Sequence, residues 1–195
     1  MEPLPEDTNV ESTLQQRLQT FADGSLAYEA SMLYETTAEL VRRLIPSPEA
    51  EVSMSGEETS MRNALLESLL IHARVLQEFL TAAKGKHPDD VLAVQFVPDW
   101  EANLQVVVGD LVVRMHKQLA HLSLARERKQ SWPIIQIADD ILEEMGRFSR
   151  AALDHGYDLL QVEVVLDEWG EWKQCEREAI EIALELALED LYYGS

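Results

Sequence analysis

Apolar residues recur along most of this chain at helical rather than alternating spacing, and Pro and Gly break the pattern into segments. Leu14, Leu18 and Phe21 predict a short helix over Asn9 to Ala22, ended by Asp23-Gly24. Ser25 then caps a second helix to about Ile45, with Leu26, Leu33, Leu40, Val41 and Leu44 inward and Pro46-Ser47-Pro48 as its stop. Residues 1–8 read as disordered, and Pro46 to about Gly56 reads as a linker. Leu65, Leu69, Ala73, Leu76 and Leu80 predict a long helix from Glu57 to Lys84, with Gly85 as its C-terminal cap.

Lys86 to Asp99 reads as a loop with one helical turn around Asp89 to Val94. Pro98-Asp99-Trp100 is a helix-start signal with Asp99 as N-cap, so the next helix is expected to reach about Arg128. Its stripe is Val108, Leu111, Val112, Met115, Leu119 and Leu122, and Gly109 inside it predicts a close helix crossing. Ser131-Trp132-Pro133 opens a helix that Gly156 ends after His155, with Pro133 at the first helical position. Leu159 to Leu166 carries strand-favouring valines, but an isolated strand has nothing to pair with, so it is assigned helix. A last helix, Glu171 to Tyr192, sets Ile180, Ala183, Leu184, Ala187, Leu188 and Leu191 on one side and Glu178, Glu181, Glu185 and Glu189 on another. The expected fold is all-α, an up-and-down helical bundle with extra N- and C-terminal helices and no internal repeat.

Composition narrows the class. The 195 residues are 46% hydrophobic and 27% charged, as in folded soluble proteins. There is no apolar run of membrane-spanning length, and the acidic, Pro-broken start lacks the features of a secretory signal, so the expectation is a cytoplasmic protein off the membrane. A single cysteine, Cys175, excludes an intramolecular disulfide and an all-Cys metal site. The net charge of −20 repels polyanions, so a nucleic-acid role requires a local basic pocket or a basic partner. Adaptation to a salt-rich cytoplasm and an acidic partner-binding helix both remain open as its origin.

The candidate chemistry sits in Arg114-Met115-His116-Lys117-Gln118-Leu119-Ala120-His121. Arg114, Gln118 and His121 fall together on the flank of the apolar stripe, roughly a right angle from its centre at about 100° per residue. A flank position lines a groove between helices. There an imidazole can act as general acid or base on a ribose 2′-hydroxyl, and an arginine can hold the phosphate. The bland alternative is a hydrogen-bonded interfacial histidine, with Arg114 paired to Asp110 one turn earlier. His72 lies at the edge of its own stripe and is expected to face His121, whereas Glu67 and Arg74 point away toward another segment. Neither Glu-x-x-His nor His-Glu-x-x-His occurs, so Asp139-Asp140 and Glu143-Glu144 make a weak case for a di-iron site, and no metal or other cofactor is expected. Trp169, Trp172, Tyr192 and Tyr193 are expected to pack or form an interface, and the acidic last helix to dock on a partner or stay solvated. Cys175 has charges of both signs around it and is unremarkable.

Two segments carry a resemblance. They are Asn63 to Phe79 (NALLESLLIHARVLQEF) and Lys117 to Leu122 (KQLAHL), with Asp89-Asp90-Val91-Leu92-Ala93, Phe96 and Trp100 between them. In this order they resemble the HEPN-like helical-bundle proteins, in particular the abortive-infection-associated group, over about residues 58–152. The resemblance implies three regions: an N-terminal helical extension and linker at 1–57, the HEPN-like bundle at 58–155, and an acidic C-terminal extension at 156–195. It also implies a homodimer. Many members are metal-independent ribonucleases in toxin–antitoxin or anti-phage systems, and others are non-catalytic binding or scaffold modules. Carried onto this chain, the Arg-x6-His motif is Arg114 and His121, with Met115 where a polar residue is usual. The resemblance makes His121 the acid/base and Arg114 the phosphate clamp. His116 or Gln118 then assists, while Lys117, Gln118, His72 and Arg74 bind RNA. The expected partners are an RNA substrate and an antitoxin or other protein.

Overall fold

Leu18, Ala22, Leu26, Ala30 and Leu33 are all buried, and one uninterrupted helical rod carries them. The computed structural model describes residues 8–44, 56–120, 132–178 and 180–181. Among them the protein is all-α with no strand, and no helix is long and apolar enough to cross a membrane. The expected disordered start, most of the 46–56 linker, and Tyr192 and Tyr193 lie outside the described residues.

Helix α1 (Thr8–Phe21) does not end at Asp23-Gly24 as expected. It passes through a π-turn, Ala22–Leu26, into α2 (Ala27–Leu44). The N–H of Ala27 reaches back five residues to the carbonyl of Ala22. Gly24 stays out of the left-handed region, so it widens the helix without terminating it. The buried hydroxyls of Thr36 and Thr37 donate to the carbonyls of Met32 and Leu33, at 2.6 and 2.7 Å, so the inward face of α2 carries no unmet donor there. The side-chain amide of Gln19 holds the backbone of Asp158 by both its N–H and its carbonyl, tying α1 to the turn after Gly156.

Helix α3 (Gly56–Thr81) packs on α2 along the predicted stripe. Gly85 lacks a positive φ and is not its cap. Instead the Trp100 indole N–H donates to the carbonyl of Leu80 at 2.9 Å, meeting one of the end carbonyls that a helix leaves open. A single 3₁₀ turn, Ala93–Gln95, overlaps only the end of the helical turn expected around Asp89 to Val94.

The largest departure is at residues 101–108, where helix was expected and an irregular strap is found. Helix α4 (Gly109–Ala120) begins only afterwards. Gly109, at φ +53, turns the chain into it, and among the described residues no helix crosses close to it. The strap has another outlet for its backbone. The Asp140 carboxylate accepts the N–H groups of Gln105, Val106 and Val107 at 2.7 to 2.8 Å, and Glu144 accepts that of Asn103 at 2.7 Å. Three successive valines, 106–108, lose side-chain freedom in a helix, so the competing bonds prevail.

Helix α5 (Ile134–Asp154) follows the expected span. Pro133 is its N-cap rather than its first residue, and His155 with Gly156 at φ +82 closes it. Helix α6 (Leu160–Cys175) confirms the helical reading of the valine-rich segment. It runs straight through Glu171, where a separate last helix was expected to begin, and turns at Glu176.

Phe148 of α5 organises the centre. The rings of Phe79 and Trp100 meet it at 5.2 Å and that of Phe96 at 5.7 Å, all edge-on. Full burial of each such side chain stabilises the fold by about 1.5–3 kcal/mol. Trp169 and Trp172 stack at 4.9 Å with Tyr34 of α2 against their edges, as expected for packing groups. Among the described residues one core cluster runs from Leu18 to Trp172.

Candidate functional site

Met115 is the anchor of α4, 1% exposed in the core. Its neighbours Arg114 and His116 are two residues apart, about 200° around the helix, and leave on opposite sides. The guanidinium of Arg114 lies over the Trp132 ring, 3.7 Å from its centroid, at the start of α5. Burial there draws its pKa below the usual arginine value. A cation on an aromatic face in a partly desolvated position stabilises by about 1–2 kcal/mol.

His116 turns toward α3. Burial lowers its pKa most, and the charge of Arg74 lowers it further. Lys86 acts in the same sense and Glu78 opposes them. The imidazole is therefore neutral at neutral pH. The Lys86 ammonium bonds the Glu78 carboxylate and keeps it below the ordinary glutamate range. Lys117 is exposed. Gln118 belongs to α4, but its side chain lies outside the described residues, as does all of His121.

His72 is buried, 9% exposed, with Nδ1 2.6 Å from a carboxylate oxygen of Glu29 on α2. The Tyr28 ring stands edge-on to it at 5.8 Å. Among the described residues its partner helix is thus α2, and His121, which it was expected to face, lies outside them. Arg74, two residues on and on the opposite side of α3, is the one that meets α4. The structure brings Arg74 and His116 together, and it holds Arg114 and His72 in separate surroundings. Beside Arg74 lies a depression of about 340 Å³ lined by Leu26, Glu29, Val75, Phe79 and Lys86.

A second depression, of about 600 Å³, opens between α5 and α6 near Asn103, Glu143, Arg147 and Lys173. The acids once weighed as iron ligands already hold protein groups. Asp139 accepts from the Trp169 indole N–H at 3.1 Å and the Lys173 ammonium at 2.6 Å. Asp140 holds the strap, and Glu144 holds Arg147, whose guanidinium also reaches the Glu101 carbonyl and stacks 4.0 Å over Trp100. Among the described residues no three His, Cys, Asp or Glu side chains gather as a metal site. Cys175 is exposed at the end of α6.

Sequence reasoning missed Glu29, Glu78, Lys86 and Trp132. Glu78 had a signal, since it stands one turn after Arg74. Trp132 stood out only as part of a helix start, and its contact with Arg114 depends on the tertiary path. Comparison with protein-family models, with curated proteins and with solved structures finds no match to this chain.

Proposed function

We propose that this chain is a non-catalytic helical interaction module that works in the cytoplasm through protein contacts. One observation carries the reading: Arg114, the arginine of the Arg-x6-His motif, is laid on Trp132 and partly desolvated, on the side of α4 away from His116. The guanidinium is used to pack α4 against the start of α5, and that use favours a structural role over a phosphate clamp.

A second reading, the metal-independent ribonuclease implied by the HEPN-like resemblance, has its own support. Arg74 and Lys86 set positive charge beside the neutral His116 on an acidic chain, with Glu78 taking the Lys86 ammonium. A neutral imidazole is the form a general base requires. Under that reading His121 works from outside the described residues, with RNA as substrate and an antitoxin as partner in a toxin–antitoxin or anti-phage system. The full chain and its His121→Ala variant, incubated with total RNA and a metal chelator, separate the two. Intact RNA with both proteins is the outcome expected of a module. Cleavage by the wild type that His121→Ala abolishes would overturn the module in favour of the nuclease.

A further inference from the structure

Met61, Ala64, Ser68, Ile71 and Val75 follow one another on α3 at alternating spacings of three and four. That spacing confines them to one narrow stripe, the seam geometry of packed helix pairs. The stripe faces outward. Met61 is 46% exposed, Ile71 49% and Val75 41%, although the opposite face of α3 is buried through Leu69, Ala73, Leu76 and Leu80. Tyr28 of α2, 55% exposed and edge-on to His72, widens the apolar surface on one side. Val75 continues it into the depression beside Arg74.

We propose that this stripe is a homodimer surface on which α3 of a second copy packs antiparallel. Two independent properties of the helix reverse about points one residue apart, about 1.5 Å along its axis. The first is size. Ala64 and Ser68 are small, and Ile71 and Val75 are bulky. Reversing one helix about a point between residues 69 and 70 sets Ile71 against the other copy's Ser68 and Val75 against its Ala64, so large residues fill the space over small ones. The second is charge. Glu67 and Arg74 share one flank of the stripe seven residues apart, and they exchange under a reversal centred between residues 70 and 71. Each copy's glutamate then meets the other's arginine, twice by symmetry. A two-fold interface demands this self-complementarity, in which residue i meets j and j meets i. A parallel two-fold pairing instead carries the two flanks to opposite sides of the seam, where Glu67 and Arg74 of the two copies do not meet. The glutamate of this pair is exposed and the arginine half-buried, so the charges lie at the rim of the stripe, where they choose orientation more than they add affinity.

The proposal rests on the interaction-module reading and names its partner. Sedimentation of the full chain at about 10–100 μM tests it. The wild type sediments as a dimer. Ile71→Asp or Val75→Asp, with an unchanged circular dichroism spectrum, weakens association by at least about tenfold. Glu67→Arg and Arg74→Glu each weaken it, because each turns two attractive contacts into repulsive ones. The double reversal restores it, and these rim variants keep the test decisive if the stripe variants fail to fold. A monomeric wild type, or a dimer indifferent to both Ile71→Asp and the charge reversals, overturns the proposal. A monomer destabilised by Ile71→Asp does so too, because the stripe is then covered by its own chain or by another partner. A monomer that leaves RNA intact removes the dimer and spares the module. RNA cleavage lost in His121→Ala removes the module whatever the oligomeric state.

Discussion

His116 and Arg114 share a helix turn yet meet opposite chemistry, and only one of them titrates in a useful range. Burial and then the Arg74 charge hold the His116 pKa below its ordinary value near 6.5. The folded protein therefore resists the proton that the unfolded chain accepts. Stability from this residue is fully present above about pH 6.5, and it is lost as pH falls through the lower folded-state value. His116→Gln should flatten this part of the profile. Urea midpoints at pH 7.5 and 5.5 check it: the wild type loses more stability between them than the variant does, and equal losses would refute the assignment. At this scale the sequence was half legible. The wheel separates Arg114 from His116 and places Arg74 opposite His72. It does not say which helix lies on each side: His72 was expected to face His121, and among the described residues its partner is Glu29 of α2. Side-chain direction is local information, and the identity of the neighbour is not.

At the scale of elements, helices with a continuous apolar stripe were legible. α3 and α5 appear within a few residues of their expected ends. Errors fell where local signals compete with distant partners. Pro98-Asp99-Trp100 has the chemistry of a helix start, but the carboxylates of Asp140 and Glu144, more than thirty residues away, take the backbone N–H groups that a helix would have used. Asp23-Gly24 has the chemistry of a helix end, yet Ala22 and Leu26 on either side bury completely only if the rod continues. The two glycines involved give opposite predictions for one substitution. Gly24 lies in the π-turn outside the left-handed region, with nothing within 4 Å of an added Cβ. Gly24→Ala should stabilise by about 0.5–1 kcal/mol through reduced unfolded-state entropy and better helix propensity. Gly109 also has open space around it, but its φ of +53 is strained for any L side chain. Gly109→Ala should cost about 1–2 kcal/mol. Calorimetry should show melting temperatures moving a few degrees in opposite directions, about 2–4 °C per kcal/mol for a chain of this size. A loss of stability in Gly24→Ala would mean that the π-turn needs its glycine.

For the molecule as a whole, charge and core point in different directions. The core spans the chain from α1 to α6, and its helical class was legible because burial leaves a periodic trace in sequence. The net charge of −20 leaves no such trace in the fold, but it governs how two copies meet. Coulomb's law in water gives about 0.1 kcal/mol for two unit charges ~30 Å apart. Two bodies of charge −20 multiply that by several hundred before counterions intervene. The Glu67–Arg74 contacts proposed across the stripe contribute at most about 1 kcal/mol each as exposed ion pairs. At low ionic strength the screening length is about 30 Å, and the repulsion acts across the whole interface; near 0.15 M it is about 8 Å, and only the closest charges still interact. Added salt thus removes far more repulsion than attraction and leaves the apolar stripe untouched. The apparent dimer Kd should fall by about tenfold or more between roughly 0.02 and 0.3 M NaCl, read by sedimentation at fixed pH. Association that weakened with salt would mean that ion pairs, not Met61, Ile71 and Val75, hold the copies together.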